Sequence, residues 1–250
     1  MKTRFTSEKR GISYNLFLGK LNELSTKSKM VINTINQYSY CIALEDIEFR
    51  RALEDCDILL PDGEGIVLAE RLLTGKKINK ISGTDLHAYL LEELNNKSGR
   101  CFYLGSCEQT LKKIKQRLSK EYPEIVVEYY SPSFVKKFSN EENKLMVESI
   151  NNFKPDALFI GLTAPKQEKW SRQFKKEINA QFICSIGAVF DFYAGTVKRP
   201  SKFMIDNKLE WMGRFLNNPS KMWRRYFYYG PIYVYYIFKL KLSQSLKKFA

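Results

Sequence analysis

The chain has 250 residues, 44% apolar and 27% charged, a globular balance that excludes wholesale disorder, a collagen-like repeat and a coiled coil. Its 41 Lys and Arg against 27 Asp and Glu leave a net charge of +14, an excess that calls for an anionic partner. No apolar run reaches the roughly 20 residues of a membrane-spanning helix, and the N-terminal stretch lacks the sustained apolar core of a signal peptide. The five cysteines are scattered without a CxxC pair, as expected of reduced thiols in a cytoplasmic protein.

In chain order, apolar β-type runs occur at Met30–Ile35, Asp57–Leu60, Cys101–Gly105, Ile125–Tyr129, Ala157–Gly161 and Gln181–Ile186. Helical-period stretches fall between them, at Leu44–Glu54, Gly65–Leu73, Thr84–Asn95, Glu108–Glu121, Glu141–Asn152 and Lys166–Asn179. Such alternation predicts an α/β, Rossmann-like, mostly parallel sheet flanked by helices. His87, the single histidine, falls in an amphipathic stretch and reads as a helix-surface residue, which argues against multi-histidine zinc sites and Ser-His-Asp chemistry.

Ligands of open parallel sheets bind outside the carboxyl ends of the strands. Four predicted strand ends carry glycine there: Pro61-Asp62-Gly63-Glu64-Gly65, Gly105-Ser106, Gly161-Leu162-Thr163-Ala164-Pro165-Lys166-Gln167-Glu168, and Gly187-Ala188. None is a GxGxxG or GxxxxGK[ST] loop, so hydride transfer and P-loop NTPase chemistry are disfavoured. Thr163 can cap the following helix, and free N–H groups there with Lys166 would attract an anion. On composition alone Asp62 is an ordinary Pro-Asp-Gly turn residue. Asp55-x-Asp57 reads as a helix end rather than a metal-binding DxD.

The charge is concentrated at the C-terminus: Thr196 to Ala250 holds 12 Lys and Arg against 2 Asp and Glu, +10 of the +14. Residues 1–195 are therefore read as the α/β domain and residues 196–250 as a basic, aromatic-rich helical appendage, expected to be separable because the α/β pattern is complete by Ile186. Pro219 should divide its first part into two helices, and Gly230-Pro231 should interrupt Tyr226–Phe238, where eight of thirteen residues are aromatic. Tyrosine and lysine at this density suit an anionic membrane surface. Packing of the aromatics against the sheet domain is the alternative. A nucleic-acid surface is the third reading, without any RNP, KH or helix-turn-helix pattern to support it.

Several blocks carry a specific likeness: Asn33-Thr34-Ile35-Asn36, Pro61 to Gly65, Gly83-Thr84-Asp85-Leu86, Phe102 to Ser106, Ala164 to Trp170, Phe190-Asp191-Phe192 with Ala194-Gly195 and Lys198-Arg199, and Leu209-Glu210-Trp211 leading to Arg214 and Arg224-Arg225-Tyr226. In this order they resemble the WecG/TagA/CpsF bacterial glycosyltransferases over nearly the whole chain. The resemblance implies inverting transfer of a sugar, N-acetylmannosamine in the best-known case, from a UDP-sugar to an undecaprenyl-diphosphate-linked saccharide. That reaction serves surface-polysaccharide assembly (teichoic acid, capsule or exopolysaccharide) at the cytoplasmic membrane face. UDP-N-acetylmannosaminuronic acid or UDP-glucose are alternative donors; a soluble nucleotide-sugar epimerase or a nucleic-acid-binding protein are the other classes.

By the same resemblance Asp62 is the general base with Thr34 beside it. Asn36, Gly105, Ser106, Lys166, Gln167, Glu168, Asp191, Arg214, Lys221, Arg224 and Arg225 contact substrate. Asp191 is also a rival base, or a buried carboxylate organising the Gly187 loop or pairing with an appendage arginine. The four appendage cations would stabilise the leaving diphosphate in place of a metal, so no metal cofactor is expected. No nucleic-acid partner is expected, and homo-oligomerisation stays open. The chain departs from the family's usual residues at Ile35 (often proline), at Thr163 (often glycine) and at Pro200-Ser201-Lys202-Phe203, where an Ala-Pro-x-Trp order is usual.

Overall fold

The computed structural model describes residues 2–7, 12–24 and 28–248. Eight strands form one sheet: β1 (Lys2–Ser7), β2 (Ile12–Phe17), β3 (Met30–Ile35), β4 (Ile58–Pro61), β5 (Arg100–Gly105), β6 (Val126–Tyr130), β7 (Ala157–Gly161) and β8 (Phe182–Ser185). Their order is β1-β2-β4-β3-β8-β7-β5-β6, with β2 to β8 parallel and only the edge strand β1 antiparallel. The six expected strands are all present. The additional β1–β2 hairpin escaped the sequence reading because an edge strand such as Lys-Thr-Arg-Phe-Thr-Ser has no apolar run to betray it.

The helices are α1 (Gln37–Glu45), α2 (Ile47–Glu54), α3 (Glu64–Thr74), α4 (Gly83–Asn96), α5 (Glu108–Glu121), α6 (Asn140–Phe153), α7 (Lys166–Phe174) and the short α8 (Val189–Tyr193). The appendage then adds α9 (Lys202–Asp206), α10 (Glu210–Asn217), α11 (Pro219–Trp223), a π-helical turn over Arg224–Tyr228, and α12 (Tyr229–Lys248). Period-two alternation divides the strands between two cores. Ile32, Leu60, Tyr103, Phe159 and Cys184 face α4, α5 and α8, whereas Val31, Phe102, Leu158 and Ile183 face α6 and α7.

His87 is not on the surface. It is buried in α4, with Nε2 2.6 Å from the Tyr103 hydroxyl and its ring edge-on to Phe159 and Tyr193. Burial among these rings pushes its pKa down to about 3, so it is a neutral core residue. A small amphipathic ring with one satisfied nitrogen fits an aromatic core as readily as a helix surface does.

The appendage is tied to the α/β body more closely than the composition suggested. Tyr229, Tyr233, Ile237 and Leu240 recur on one face of α12 and pack into a third core with Tyr14, Leu16, Ile35, Tyr40 and Leu44. The Tyr233 hydroxyl donates to the Gly65 carbonyl at 2.9 Å, and Tyr40 meets the Tyr233 ring edge-on at 5.3 Å. Removing residues 207–250 would strip this cover from the third core. Pro219 begins α11, as expected of proline at a helix start. Gly230-Pro231 does not interrupt α12: the missing proline N–H falls in its first turn, next to the wide π turn that already breaks the α-helical bonding register.

Candidate active site

The carboxyl ends of β3, β4, β5, β7 and β8 open onto a cleft of about 700 Å³. Chain crossovers explain its position, because β3 passes to β4 on one side and β5 to β6 on the other, which leaves a crevice over β8 and β7 between them. Thr34, Asn36, Asp62, Ser106, Lys166, Gln167, Glu168, Asp191, Arg214 and Arg225 all line it. The structure thus gathers residues separated by up to 191 positions of sequence into one place.

Asp62 follows β4 and is pinned beside the end of β3, where its backbone N–H donates to the Ile35 carbonyl at 2.8 Å. Burial pushes its pKa up to about 6, against the opposing pull of the Arg214 guanidinium. Thr34 lies on the neighbouring strand, in register with Leu60. Asn36 spends its Oδ1 as the N-cap of α1, accepting from the Ser39 N–H at 3.0 Å and its hydroxyl at 3.1 Å.

On the opposite wall, Gln167 and Glu168 are buried on the first turn of α7. Gln167 Nε2 donates to Glu168 Oε1 at 2.9 Å, and Gln167 Oε1 and Glu168 Oε2 are buried with no hydrogen bond from the described residues. An amide whose NH₂ is committed this way presents its carbonyl, so Gln167 is set to accept from a ligand N–H or O–H. Burial raises the Glu168 carboxyl to about 7. Lys166 is placed differently from expectation: Nζ donates to the Val135 carbonyl at 2.6 Å and lies 3.4 Å from the Phe138 ring centroid. The Lys166 and Gln167 N–H groups both bond the Thr163 carbonyl. Lys166 therefore braces the cleft rim, and the start of α7 is not the open anion cradle inferred from its sequence.

Gly105 ends β5 with φ +118°, and an added Cβ would stand 2.6 Å from the Gly161 backbone; Ser106 follows at φ +59°. Asp191 accepts the Thr196 hydroxyl at 3.4 Å and pairs with no arginine among the described residues.

Of the four appendage cations, Arg214 and Arg225 reach the cleft and Arg224 does not. Arg214 is joined to Glu210 at 2.8 Å, and Glu210 also takes Lys80 at 2.8 Å. Burial opposes the charge of Arg214, yet Asp62 and Glu210 outweigh it and hold the pKa above the usual value; Nε is buried without a partner among the described residues. Arg225 stacks over Tyr38 at 4.6 Å, half-buried in the cleft wall, and no carboxylate among the described residues pairs with it. Arg224 is exposed, over the rings of Tyr228 and Tyr229, and does not line the cleft. Lys221 belongs to α11, but its side chain lies outside what is described. Asp55 and Asp57 precede the amino-terminal end of β4, opposite the carboxyl ends that form the cleft, and are bonded to Arg172 Nε at 2.7 Å and to the Val31 N–H at 2.8 Å.

The sequence model of the glycosyl transferase WecG/TagA/CpsF family matches residues 6–247. The chain belongs to that family. It is a glycosyltransferase. A Bacillus subtilis (strain 168) protein, N-acetylglucosaminyldiphosphoundecaprenol N-acetyl-beta-D-mannosaminyltransferase, is 31% identical over 81% of this chain and 77% of its own length. A protein of the same name from Bacillus spizizenii (strain ATCC 23059 / NRRL B-14472 / W23) is 30% identical over 73% of this chain and 69% of its own. One from Staphylococcus aureus (strain MW2) is 25% identical over 99% and 87%.

The sequence alone singles out neither Tyr38 nor Lys80, and it gives Glu210 no role beyond its place in the Leu209-Glu210-Trp211 block. Tyr38 stacks on Arg225, and Lys80 and Glu210 complete the charge chain behind Arg214; a lone lysine 130 residues from its partner gives no signal in the chain.

Proposed function

We propose that this glycosyltransferase moves N-acetylmannosamine, with inversion, from UDP-N-acetylmannosamine to an undecaprenyl-diphosphate-linked saccharide in cell-surface polysaccharide assembly. The observation that carries the reading is the pair of arginines beside the half-buried Asp62 carboxylate. A half-buried guanidinium without a counter-charge among the described residues, as at Arg225, is costly unless a ligand anion completes it, and a diphosphate does so bidentately. Asp62 then takes the acceptor hydroxyl proton while the sugar C–O bond to UDP breaks and the pair of arginines meets the charge that develops on the leaving diphosphate. Fixed cations make a metal cofactor unnecessary in this scheme.

The names of the relatives support both the sugar and the lipid-linked acceptor. We place the enzyme on the inner face of the plasma membrane. No helix among the described residues is long and apolar enough to cross a membrane. The appendage nevertheless exposes Trp223, Phe227, Tyr235, Phe238, Leu242 and Leu246 beside Arg224 and Lys239, an amphipathic surface suited to an anionic leaflet. The test is transfer from a panel of UDP-sugars to a short-chain lipid-diphosphate N-acetylglucosamine, in EDTA. Transfer of N-acetylmannosamine without added metal is expected. Activity restored only by Mg²⁺ or Mn²⁺ refutes the cation scheme, and preference for another UDP-sugar refutes the donor assignment.

A further inference from the structure

Asp62 is reached from two sides. One is the 700 Å³ cleft; the other is a separate recess of about 90 Å³, bounded by the start of α3 at Gly63 and Glu64, by Lys80, and by Lys208, Trp211 and Tyr226 of the appendage. Asn36, Tyr38, Asp62, Arg214 and Arg225 line both and form the wall between them. We propose, resting on the glycosyl-transfer reading, that the recess is the acceptor subsite, receiving the reacting edge of a pyranose that carries an anomeric diphosphate.

The chemistry of a single inverting displacement requires this division. The attacking hydroxyl and the departing diphosphate stand on opposite sides of the donor's anomeric carbon, and the base must touch the hydroxyl. The acceptor O–H proton passes to the Asp62 carboxylate as its oxygen bonds the anomeric carbon, and UDP departs with the electrons of the old C–O bond. A carboxylate in the wall between two cavities serves both at once. Size assigns which cavity is which: a nucleotide sugar needs several hundred Å³, so it fits only the cleft, while the recess accommodates one edge of a ring.

The lining agrees with a sugar bearing phosphates. Trp211 is 43% exposed and held edge-to-face by Tyr226 at 5.7 Å, leaving a flat apolar surface for the C–H face of a pyranose. Glu210, on the same helix, is kept ionised despite burial by Arg214 and Lys80, so it can accept from ring hydroxyls. Lys208 at the rim is largely exposed; its only carboxylate among the described residues is Glu64 at 3.4 Å, a pairing weak enough to exchange for a phosphate. Because the appendage supplies Lys208, Trp211 and Tyr226, the subsite exists only while it is seated on the α/β body.

Calorimetric titration of the full-length protein with two probes separately tests this: UDP, and N-acetylglucosamine 1-diphosphate esterified to a short alkyl chain. Trp211→Ala should weaken the second probe about tenfold or more and leave UDP within about twofold; Trp211→Phe should restore most of the loss. Equal weakening of both probes, or a second probe indifferent to Trp211 while UDP binds, overturns the subsite alone. Absence of UDP binding in the unsubstituted protein overturns the glycosyl-transfer reading and the subsite with it.

Discussion

Asp62 and Arg225 show what single residues reveal and conceal. A base must be ionised to act, and burial holds the Asp62 pKa near 6, so turnover should fall as pH drops through about 6 rather than near 4. Asp62→Asn should lose about 10²-fold or more in turnover while keeping donor binding. The same shift has a stability sign. The folded-state pKa lies above the unfolded one, so the native state loses stability as pH rises from about 4 through about 6. Asp62→Asn should therefore melt a few degrees higher than the parent at pH 8, and the gain should vanish toward pH 4. Near-normal turnover of the variant would transfer the role elsewhere. In the sequence, Asp62 stands out only through the blocks around it, since Pro-Asp-Gly by itself is a turn. Neighbouring Arg224 and Arg225 were indistinguishable because adjacent helical residues point about 100° apart, and which one enters the cleft depends on how the helix is phased.

Among the elements, the parallel strands were legible because burial on both faces makes them continuous apolar runs, whereas the polar β1 edge and the π turn leave no such mark. The strand ends are legible in part. At Gly105 the β5 and β7 termini press together so closely that Gly105→Ala drives its Cβ into the Gly161 backbone; a clear fall in melting temperature or insolubility is expected. Thr163 is the counter-case. It takes φ +66°, a left-handed conformation that a β-branched residue adopts only under strain and that glycine would adopt freely. Thr163→Gly should stabilise by about 1 kcal/mol, a rise of roughly 2–4 °C in a chain this size, read by thermal melting. A lower melting temperature would mean that the threonine side chain contributes more than its backbone costs.

For the whole molecule, the basic appendage has two opposed surfaces on one helix. The inward stripe of Tyr229, Tyr233, Ile237 and Leu240 closes a core, and Tyr235, Phe238 and Leu242 point away from it. Composition could not separate lipid contact from packing, because the same residue types do both and only their angular position differs. Replacing Tyr235, Phe238 and Leu242 together by serine should abolish salt-sensitive sedimentation with anionic liposomes without moving the melting temperature. Retained sedimentation would leave the exposed stripe without a membrane role. Between this helix and α11 lies the π turn, which amounts to one extra residue and hence an angular offset of about 100° in everything beyond it. The offset acts like the keyway on a shaft: it sets how the arginine end is clocked against the buried stripe, so a single insertion or deletion there can retune catalysis, anchoring and core closure in one mutational event, where point substitutions would alter them one at a time.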